Sequence, residues 1–396
     1  MKKIFALFLS ALIVFGLCIN ALAGGGGDAG TSAEIASSVE YGKTVDAQSA
    51  ILIDAKSGKV LYEQNADEPL PPASVTKTMT MLLVLEALDS GKISLGDMVS
   101  VSKNAASMGG SQVYLEAGEQ MSVDELMKCM IVASANDAAV ALSEYVWGSE
   151  AAFVAKMNER ASELGCKSTH FENPTGLDDA AVNHTMSARD IAVITEEILK
   201  HPTVYNYSTI WMDTIRGGEF GLTNTNRLIR FYKGATGLKT GSTSKAKFCI
   251  SATAERDGLV LIAVIMAAPT RDVRNAAAES LFDFGFANYA LFEDEPRGFE
   301  NIYVTGGEKA TISATSESFS AVVPKGEKSK VEVKVDVPDI LPAPVTKGEK
   351  IGTVTYSLGG QTLGISDVLA AEDSGKLGLF GFFRELLFWF LLSPKK

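Results

Sequence analysis

A serine and a lysine three positions apart open a segment whose pattern predicts a helix. Ser74 and Lys77 follow two prolines, and an apolar run continues after them. Three positions is close to one helical turn, so the two side chains are expected on one face. A serine hydroxyl needs a base before it can attack a carbonyl, and a neutral lysine can accept its proton if its pKa is depressed. Taken alone, the spacing favours an ordinary helix start with a surface lysine.

A second polar pair, Ser134 and Asn136, follows another predicted helix. That helix has its own start signal, because Ser122 and Glu125 have the spacing of a capping box. Met and Ile residues give the helix an apolar side, so its end should be packed in place. A fixed hydroxyl and a fixed amide at such a point could relay a proton and bind a substrate amide. An ordinary polar helix end is the simpler interpretation of this pair alone.

The third group is Lys239, Thr240 and Gly241, on or beside a predicted strand. Two apolar strands follow at 248–254 and 259–267, joined by an Arg-Asp-Gly turn that predicts a hairpin. A Lys-Thr-Gly sequence on an edge strand offers a cation, a hydroxyl and a glycine that lets a ligand approach closely. Such a strand can bind a peptide as an added strand.

The three groups together carry far more information than each does alone. The order S-x-x-K, S-x-N, K-T-G is typical of penicillin-binding proteins and class A β-lactamases, with S-D-N as a common middle member where this chain has S-A-N. The chain resembles the low-molecular-mass penicillin-binding proteins that are serine-type D-alanyl-D-alanine carboxypeptidases, peptidase family S11. The resemblance runs from about Ala50 to the C-terminal helix. Its further segments are Ile51–Asp54, Ser57–Leu61, Asn173–Leu177 and Ser187–Asp190.

The resemblance implies an α+β fold. The catalytic domain would be an antiparallel sheet flanked by helices, as in serine β-lactamases, followed by a small β-sandwich and a C-terminal membrane-associated helix. Ser74 would attack the carbonyl between two terminal D-alanines of a peptidoglycan stem peptide, with Lys77 as its general base. Ser134 would assist proton transfer and Asn136 would position the substrate. Water would then hydrolyse the acyl-enzyme, and β-lactams would acylate the same serine.

The resemblance also implies substrate-binding roles. Lys239, Thr240 and Gly241 would hold the substrate, and the backbone N–H of Ser242 would complete an oxyanion hole with that of the nucleophile. Some family members carry a histidine or tyrosine where this chain has Ser242, but a backbone N–H does not depend on the side chain. Arg274 aligns with an arginine that the family places near the terminal carboxylate. No cofactor is implied.

Charge and cysteine content narrow the possible partners. The chain has a net charge of −12, which argues against nucleic acid because phosphate backbones demand clustered Lys and Arg. Beyond the predicted signal peptide an odd number of cysteines remains, so they cannot form a complete disulfide framework, and Cys129 and Cys249 are expected to be buried thiols. The histidines show no metal-ligand spacing, so a zinc peptidase is disfavoured and no metal is expected.

The two ends of the chain predict export and membrane association. Two lysines, an apolar run and Ala-Leu-Ala are typical of a secretory signal; an uncleaved anchor is the alternative. The apolar C-terminal run contains a charged pair and is short for a bilayer, so we favour a helix in the membrane interface over a short span. These features predict a location on the outer face of the cytoplasmic membrane. The predicted segments are 1–23 signal peptide, 24–46 glycine-rich leader, 47–292 catalytic domain, 297–370 β-rich domain and 377–392 anchor.

Three other functions remain open from the sequence. A D,D-endopeptidase would use the same residues. A class A β-lactamase needs a deacylating glutamate between the second and third motifs, and Glu172 lies there, although it leads into the carboxypeptidase-like Pro-Thr-Gly-Leu segment. A non-catalytic wall-binding or penicillin-sensing module is disfavoured because such a protein is expected to have lost at least one motif.

Overall fold

The computed structural model describes residues 41–178 and 181–392. The predicted signal peptide and residues 24–40 of the predicted leader lie outside this range. The α-helices are α1 Lys77–Asp89, α2 Lys103–Ala106, α3 Val123–Val132, α4 Asn136–Trp147, α5 Glu150–Glu163, α6 Ala188–Leu199, α7 Tyr205–Ser208, α8 Leu228–Phe231, α9 Arg271–Asn288 and α10 Leu379–Leu392.

The strands form one large sheet in each half of the chain and three small two-stranded sheets. They are β1 Ser49–Asp54, β2 Val60–Gln64, β3 Met98–Ser100, β4 Gln120–Ser122, β5 Met212–Ile215, β6 Phe220–Thr223, β7 Ala235–Thr243, β8 Lys247–Arg256, β9 Leu259–Ala268, β10 Tyr289–Asp294, β11 Gly298–Thr305, β12 Thr311–Ser316, β13 Phe319–Pro324, β14 Glu332–Asp336, β15 Ile340–Pro342, β16 Lys350–Leu358 and β17 Gln361–Ala370.

The first large sheet is antiparallel, in the order β2-β1-β9-β8-β7. The predicted hairpin is present, since β8 and β9 pair from Arg256 and Leu259 back along both strands. β9 is a nearly continuous apolar run that is buried along almost its whole length. Such a strand needs cover on both faces of the sheet. The cover consists of two apolar clusters, one built with α1, α3, α4 and α6, the other with α9.

Helix α1 is a core helix rather than a surface helix. Its residues from Lys77 to Leu85 are buried without interruption, so the helix is enclosed on all sides. The neighbouring α3 begins as its capping signal predicts, because the Ser122 hydroxyl accepts the N–H of Glu125 at 3.2 Å. The elements that carry the three motifs are therefore held by the core, which fixes their relative positions.

The C-terminal part of the chain is β-rich. A six-stranded sheet runs in the order β14-β16-β17-β12-β11-β15 over its own apolar cluster. Tyr356 from β16 stacks on Phe319 from β13, with ring centroids 3.9 Å apart. The strand pair β10–β13 spans both halves, because Leu291 and Val322 belong to the α9 cluster of the catalytic sheet.

Two further features bear on function. Helix α10 exposes large apolar side chains, among them Phe382, Phe383 and Phe390. None of the helices in residues 41–178 and 181–392 is long and apolar enough to cross a membrane. The three cysteines within the described ranges, Cys129, Cys166 and Cys249, are buried and unpaired with one another.

Candidate active site

Ser74 lies in a 3-10 turn, Ala73–Thr76, that leads directly into α1. The Pro72 carbonyl accepts the N–H of Val75 at 3.2 Å, which closes this turn. Lys77 is the first residue of α1, and its Nζ lies 3.1 Å from Ser74 Oγ. The two side chains that the spacing assigns to one face are in contact.

The amine of Lys77 has three neighbours of two different kinds. Its Nζ lies 2.6 Å from Asn136 Oδ1 and 2.8 Å from the Thr175 carbonyl oxygen, and both of these atoms can only accept. Ser74 Oγ is the third neighbour and can also donate. A neutral amine has two N–H groups and one lone pair. If the two acceptors take the N–H groups, the lone pair is directed at the Ser74 hydroxyl.

Burial favours this neutral form of Lys77. The side chain is fully buried, and desolvation is the largest cause that lowers its pKa well below the usual value for lysine. The positive charge of Lys239 lowers the pKa further, while the buried carboxylate of Asp137 opposes both effects. Lys77 thus has the lowered pKa that the predicted role of base requires.

Asn136 and Ser134 lie at the junction of α3 and α4. Asn136 is the first residue of α4; its Nδ2 donates to the Gly109 carbonyl at 2.7 Å and its backbone N–H to that of Ser111. These bonds direct its Oδ1 to Lys77. Ser134 is nearly buried and has a backbone φ of 63°, in the left-handed region that non-glycine residues seldom occupy. Strained residues of this kind cluster at functional sites.

Strand β7 places the third motif against the turn that carries Ser74. It is an edge of the five-stranded sheet, paired only with β8 among the described strands. A Cβ on Gly241 would lie 2.8 Å from the Ser74 nitrogen and 2.9 Å from that of Val75, so only glycine permits this approach. Ser242 follows at the exposed end of the strand. Both predicted oxyanion donors therefore lie beside this point of closest approach.

Two buried cations lie near this strand. Lys239 donates to the Thr240 carbonyl at 3.0 Å, and burial, assisted by the charge of Arg274, lowers its pKa to about 7. Arg274 belongs to α9 and donates to Asn275 Oδ1 and to the Cys249 carbonyl. Burial lowers the pKa of Arg274 to about 10. A pair of desolvated cations is suited to bind an anion.

Comparison with known proteins identifies the family. The model of the D-alanyl-D-alanine carboxypeptidases, peptidase S11, matches residues 34–270. The chain belongs to this family. The model of the penicillin-binding protein 5 C-terminal domain matches residues 291–376. The D-alanyl-D-alanine carboxypeptidase DacF of Bacillus subtilis is 43% identical over 352 residues, which cover 86% of this chain and 89% of DacF. The DacA protein of Haemophilus influenzae is 33% identical over 376 residues, 91% of this chain and 93% of DacA.

Solved structures of penicillin-binding proteins share the fold. Penicillin-binding protein 5 from Haemophilus influenzae superposes with a TM-score of 0.73 at 33% identity, covering 84% of this chain and 99% of that one. PBP3 from Streptococcus pneumoniae, described as a peptidoglycan synthesis regulatory factor, gives 0.70 at 29% identity, with 84% and 100% covered. This S11 chain is thus a low-molecular-mass penicillin-binding protein and a serine-type D-alanyl-D-alanine carboxypeptidase, with the family's catalytic domain and β-rich C-terminal domain.

Thr175 and Asp137 also act on the Lys77 amine of this S11 chain, although neither belongs to the three motifs. Thr175 lies in the family segment Asn173–Leu177. Thr175 contributes through its carbonyl, which every residue possesses. Asp137 is buried beside Asn136, and its Oδ2 accepts from the N–H groups of Val113 and Leu115 at 3.0 and 3.1 Å. Asp137 also directly follows the S-A-N motif. A carboxylate in that apolar stretch is the one signal from which its role could have been found.

Glu172 does not have the geometry that a deacylating glutamate needs. Its two carboxylate oxygens accept the backbone N–H groups of Val182 and Asn183 at 2.9 and 2.8 Å, and these bonds lower its pKa. The carboxylate is thus bound within its own loop. Across the described part of the chain, no three metal-capable side chains cluster as a candidate metal site.

Proposed function

We propose that Ser74 is the nucleophile with which this carboxypeptidase removes the terminal D-alanine from peptidoglycan pentapeptide stems. The observation that carries the proposal is the environment of the Lys77 amine, where two obligate acceptors leave the lone pair to Ser74. Ser74 Oγ attacks the carbonyl between the two D-alanines, and its proton passes to Lys77. The backbone N–H groups of Ser74 and Ser242 stabilise the negative oxygen of the tetrahedral intermediate.

The same lysine completes the cycle. As the intermediate collapses, the proton returns from Lys77 to the leaving nitrogen, with the Ser134 hydroxyl as a relay, and D-alanine departs. Asn136 binds the substrate amide while its Oδ1 orients the base. Water then attacks the acyl-enzyme and gives a proton to Lys77. As the ester bond to Ser74 Oγ breaks, Lys77 returns this proton to Oγ, and the shortened stem is released. Penicillin resembles the D-Ala-D-Ala end and forms the same ester with Ser74.

The free carboxylate of the substrate binds at the end of the site where Lys239 and Arg274 lie. The stem peptide lies along the outer edge of β7, next to Gly241, as an added strand. Its terminal carboxylate binds Lys239, Thr240 and Arg274. Lys239 and Arg274 are buried cations, and the hydrogen-bond acceptors found for both are uncharged oxygens. A carboxylate that binds here would therefore accept charge-assisted hydrogen bonds from both cations, in place of the water that burial has removed.

The labelled residue tests the nucleophile assignment. Purified protein incubated with a labelled penicillin should carry the label on Ser74 and on no other residue, as found by mass spectrometry of a tryptic digest. Ser74→Ala should give no labelled peptide, and its melting temperature shows whether it is folded. Label on Ser134 or Ser242 would show that the nucleophile is another residue.

We further propose that the protein is exported and acts in peptidoglycan remodelling and cell shape at the outer face of the cytoplasmic membrane, with α10 lying in the membrane interface. A helix of 14 residues is about 21 Å long, shorter than a bilayer core of about 30 Å. Phe382, Phe383 and Phe390 of this helix are exposed. An interfacial position covers such side chains and leaves the exposed Arg384 at the headgroups.

A further inference from the structure

A buried histidine lies directly behind the nucleophile turn, and no step of the reaction uses it. His184 is 6% exposed. Its Nε2 lies 2.7 Å from Thr76 Oγ1, and its Nδ1 lies 3.1 Å from the backbone nitrogen of Glu172. The ring also packs edge-on against Phe171.

These contacts fix the tautomer of the ring. The N–H of Glu172 can only donate, so His184 Nδ1 must be the acceptor and carry no proton. Nε2 then carries the hydrogen and donates it to Thr76. Burial lowers the pKa of His184 to about 4; His170 adds to the decrease, and the negative charges of Glu172 and Asp178 oppose it. The imidazole is therefore neutral at neutral pH.

The two hydrogen-bond partners of His184 lie on the two chain segments that meet at the Lys77 amine. Thr76 lies between Ser74 and Lys77 on the same turn. Glu172 begins the segment that ends in Thr175, whose carbonyl accepts from Lys77 at 2.8 Å. The imidazole thus bridges the turn that carries the amine and the segment that supplies its acceptor.

Hydrogen bonds hold the segment from Glu172 to Thr175 in a fixed conformation. Asn173 Oδ1 accepts the N–H groups of Thr175 and Gly176 at 3.0 and 2.7 Å, which closes a tight turn. Thr80 Oγ1 donates to the Pro174 carbonyl at 2.6 Å. Displacement of Glu172 would therefore be transmitted to the Thr175 carbonyl. Gly176, with φ of +81°, packs so closely that a Cβ would lie 1.8 Å from the Ala73 oxygen.

We propose that His184 is a positioning residue, whose neutral imidazole sets the Thr175 carbonyl against the Lys77 amine and so directs the lone pair of that amine at Ser74. The role rests on the proposed Ser74–Lys77 mechanism. His184 does not touch the substrate or exchange a proton in the reaction. Its loss should reduce the rate of acylation and leave ligand binding intact.

A double-mutant cycle tests this role. His184→Phe removes both hydrogen bonds and keeps an aromatic ring, while Thr76→Val removes only the accepting hydroxyl. The rate constant of acylation by a labelled penicillin should fall by about 10²-fold in His184→Phe, since small misplacements of reacting groups have effects of that order. The constant for the preceding reversible binding should not change. Thr76→Val should show part of the loss, and the double variant no more than His184→Phe alone.

Matched variants separate positioning from packing. His184→Gln keeps a donor toward Thr76 and should restore part of the acylation rate. His201 pairs with Asp89 at the far end of α1, and His201→Phe should acylate at the parent rate.

Three results would contradict the role. They are parent-like acylation in His184→Phe, parent-like acylation in a folded Thr76→Val, and losses that multiply in the double variant. Label on a residue other than Ser74 in the parent would instead remove the mechanism on which the role rests.

Discussion

At the scale of single residues, the proposed mechanism gives two lysines different roles, Lys77 as the base and Lys239 as a cation that binds the substrate. Both Lys77 and Lys239 are buried, and burial lowers both pKa values. Of the two, only Lys77 contacts Ser74, the proposed nucleophile. Lys239 lies beside Thr240, and burial lowers its pKa to about 7, so a bound carboxylate can stabilise its charged form.

Substitution of the two lysines should therefore affect the reaction in different ways. Lys77→Ala should lose about 10²- to 10⁴-fold or more in acylation for every substrate, because the general base is gone. Lys239→Ala should mainly weaken the reaction of substrates with a free terminal carboxylate. The measurement is kcat/KM for an acyl-D-Ala-D-Ala peptide and for its C-terminal amide.

The amide substrate is the control for the role of Lys239. The difference between Lys239→Ala and the parent should shrink when the carboxylate is amidated. Near-parental acylation by Lys77→Ala would mean that the serine–lysine mechanism is wrong.

At the scale of elements, the catalytic elements and α10 are stabilised in different ways. α1 is enclosed by the core, and β7 is paired along β8. α10 instead directs apolar side chains to solvent, as the exposure of Leu379, Leu387 and Phe390 shows. Exposed apolar surface of this kind marks an interaction site rather than a structural support.

Removal of α10 should therefore abolish membrane association without affecting catalysis. Deletion of residues 377–396 should release the protein from membranes and leave hydrolysis of a soluble peptide at the parental rate. Alkaline carbonate extraction of the full chain distinguishes the two modes of attachment. Release supports the interfacial helix, and retention supports a span. A deletion variant that stays with membranes would locate the anchor elsewhere.

At the scale of the whole molecule, the buried His184 links global stability to pH. Its pKa is about 4 in the folded protein and about 6.5 in an unfolded chain. Below about pH 6.5 the unfolded chain binds a proton that the folded protein does not, so stability decreases as pH falls toward 4. The contribution is about 2 kcal/mol between pH 7 and pH 5.

Chemical denaturation at several pH values measures this contribution. The free energy of unfolding of the parent should fall by about 2 kcal/mol more than that of His184→Gln over this interval. Other titrating groups are common to both proteins, and their effects cancel in the difference. Equal slopes would show that the ring is already protonated in the folded state.

How much the sequence could predict depends on what each contact requires. The Ser74–Lys77 pairing follows from helical spacing alone, and the β8–β9 hairpin follows from two apolar runs around a turn. The acceptor from Thr175 could not be predicted, because it is a backbone atom delivered by a loop fold.

The same limit applies to the domain boundary. Acidic residues and a proline at 293–296 suggest a break, but β10 ends at Asp294 and pairs with β13 from the following half. Long-range pairing of this kind is not encoded in local pattern. The extents proposed for the two domains, 47–292 and 297–370, therefore meet within a region that belongs to both.

The low reactivity of the three cysteines in the described ranges has a practical consequence. Burial raises the pKa of Cys129 and of Cys166 to about 12 and that of Cys249 to about 11, so none forms a thiolate at neutral pH. Thiolates, not thiols, react with maleimides and with oxidised partners. Buried thiols of this kind resist unwanted disulfide exchange. A single cysteine introduced at the exposed Tyr114, on the loop that contacts Asn136, could carry a fluorescent reporter of ligand entry while the native sequence stays otherwise intact.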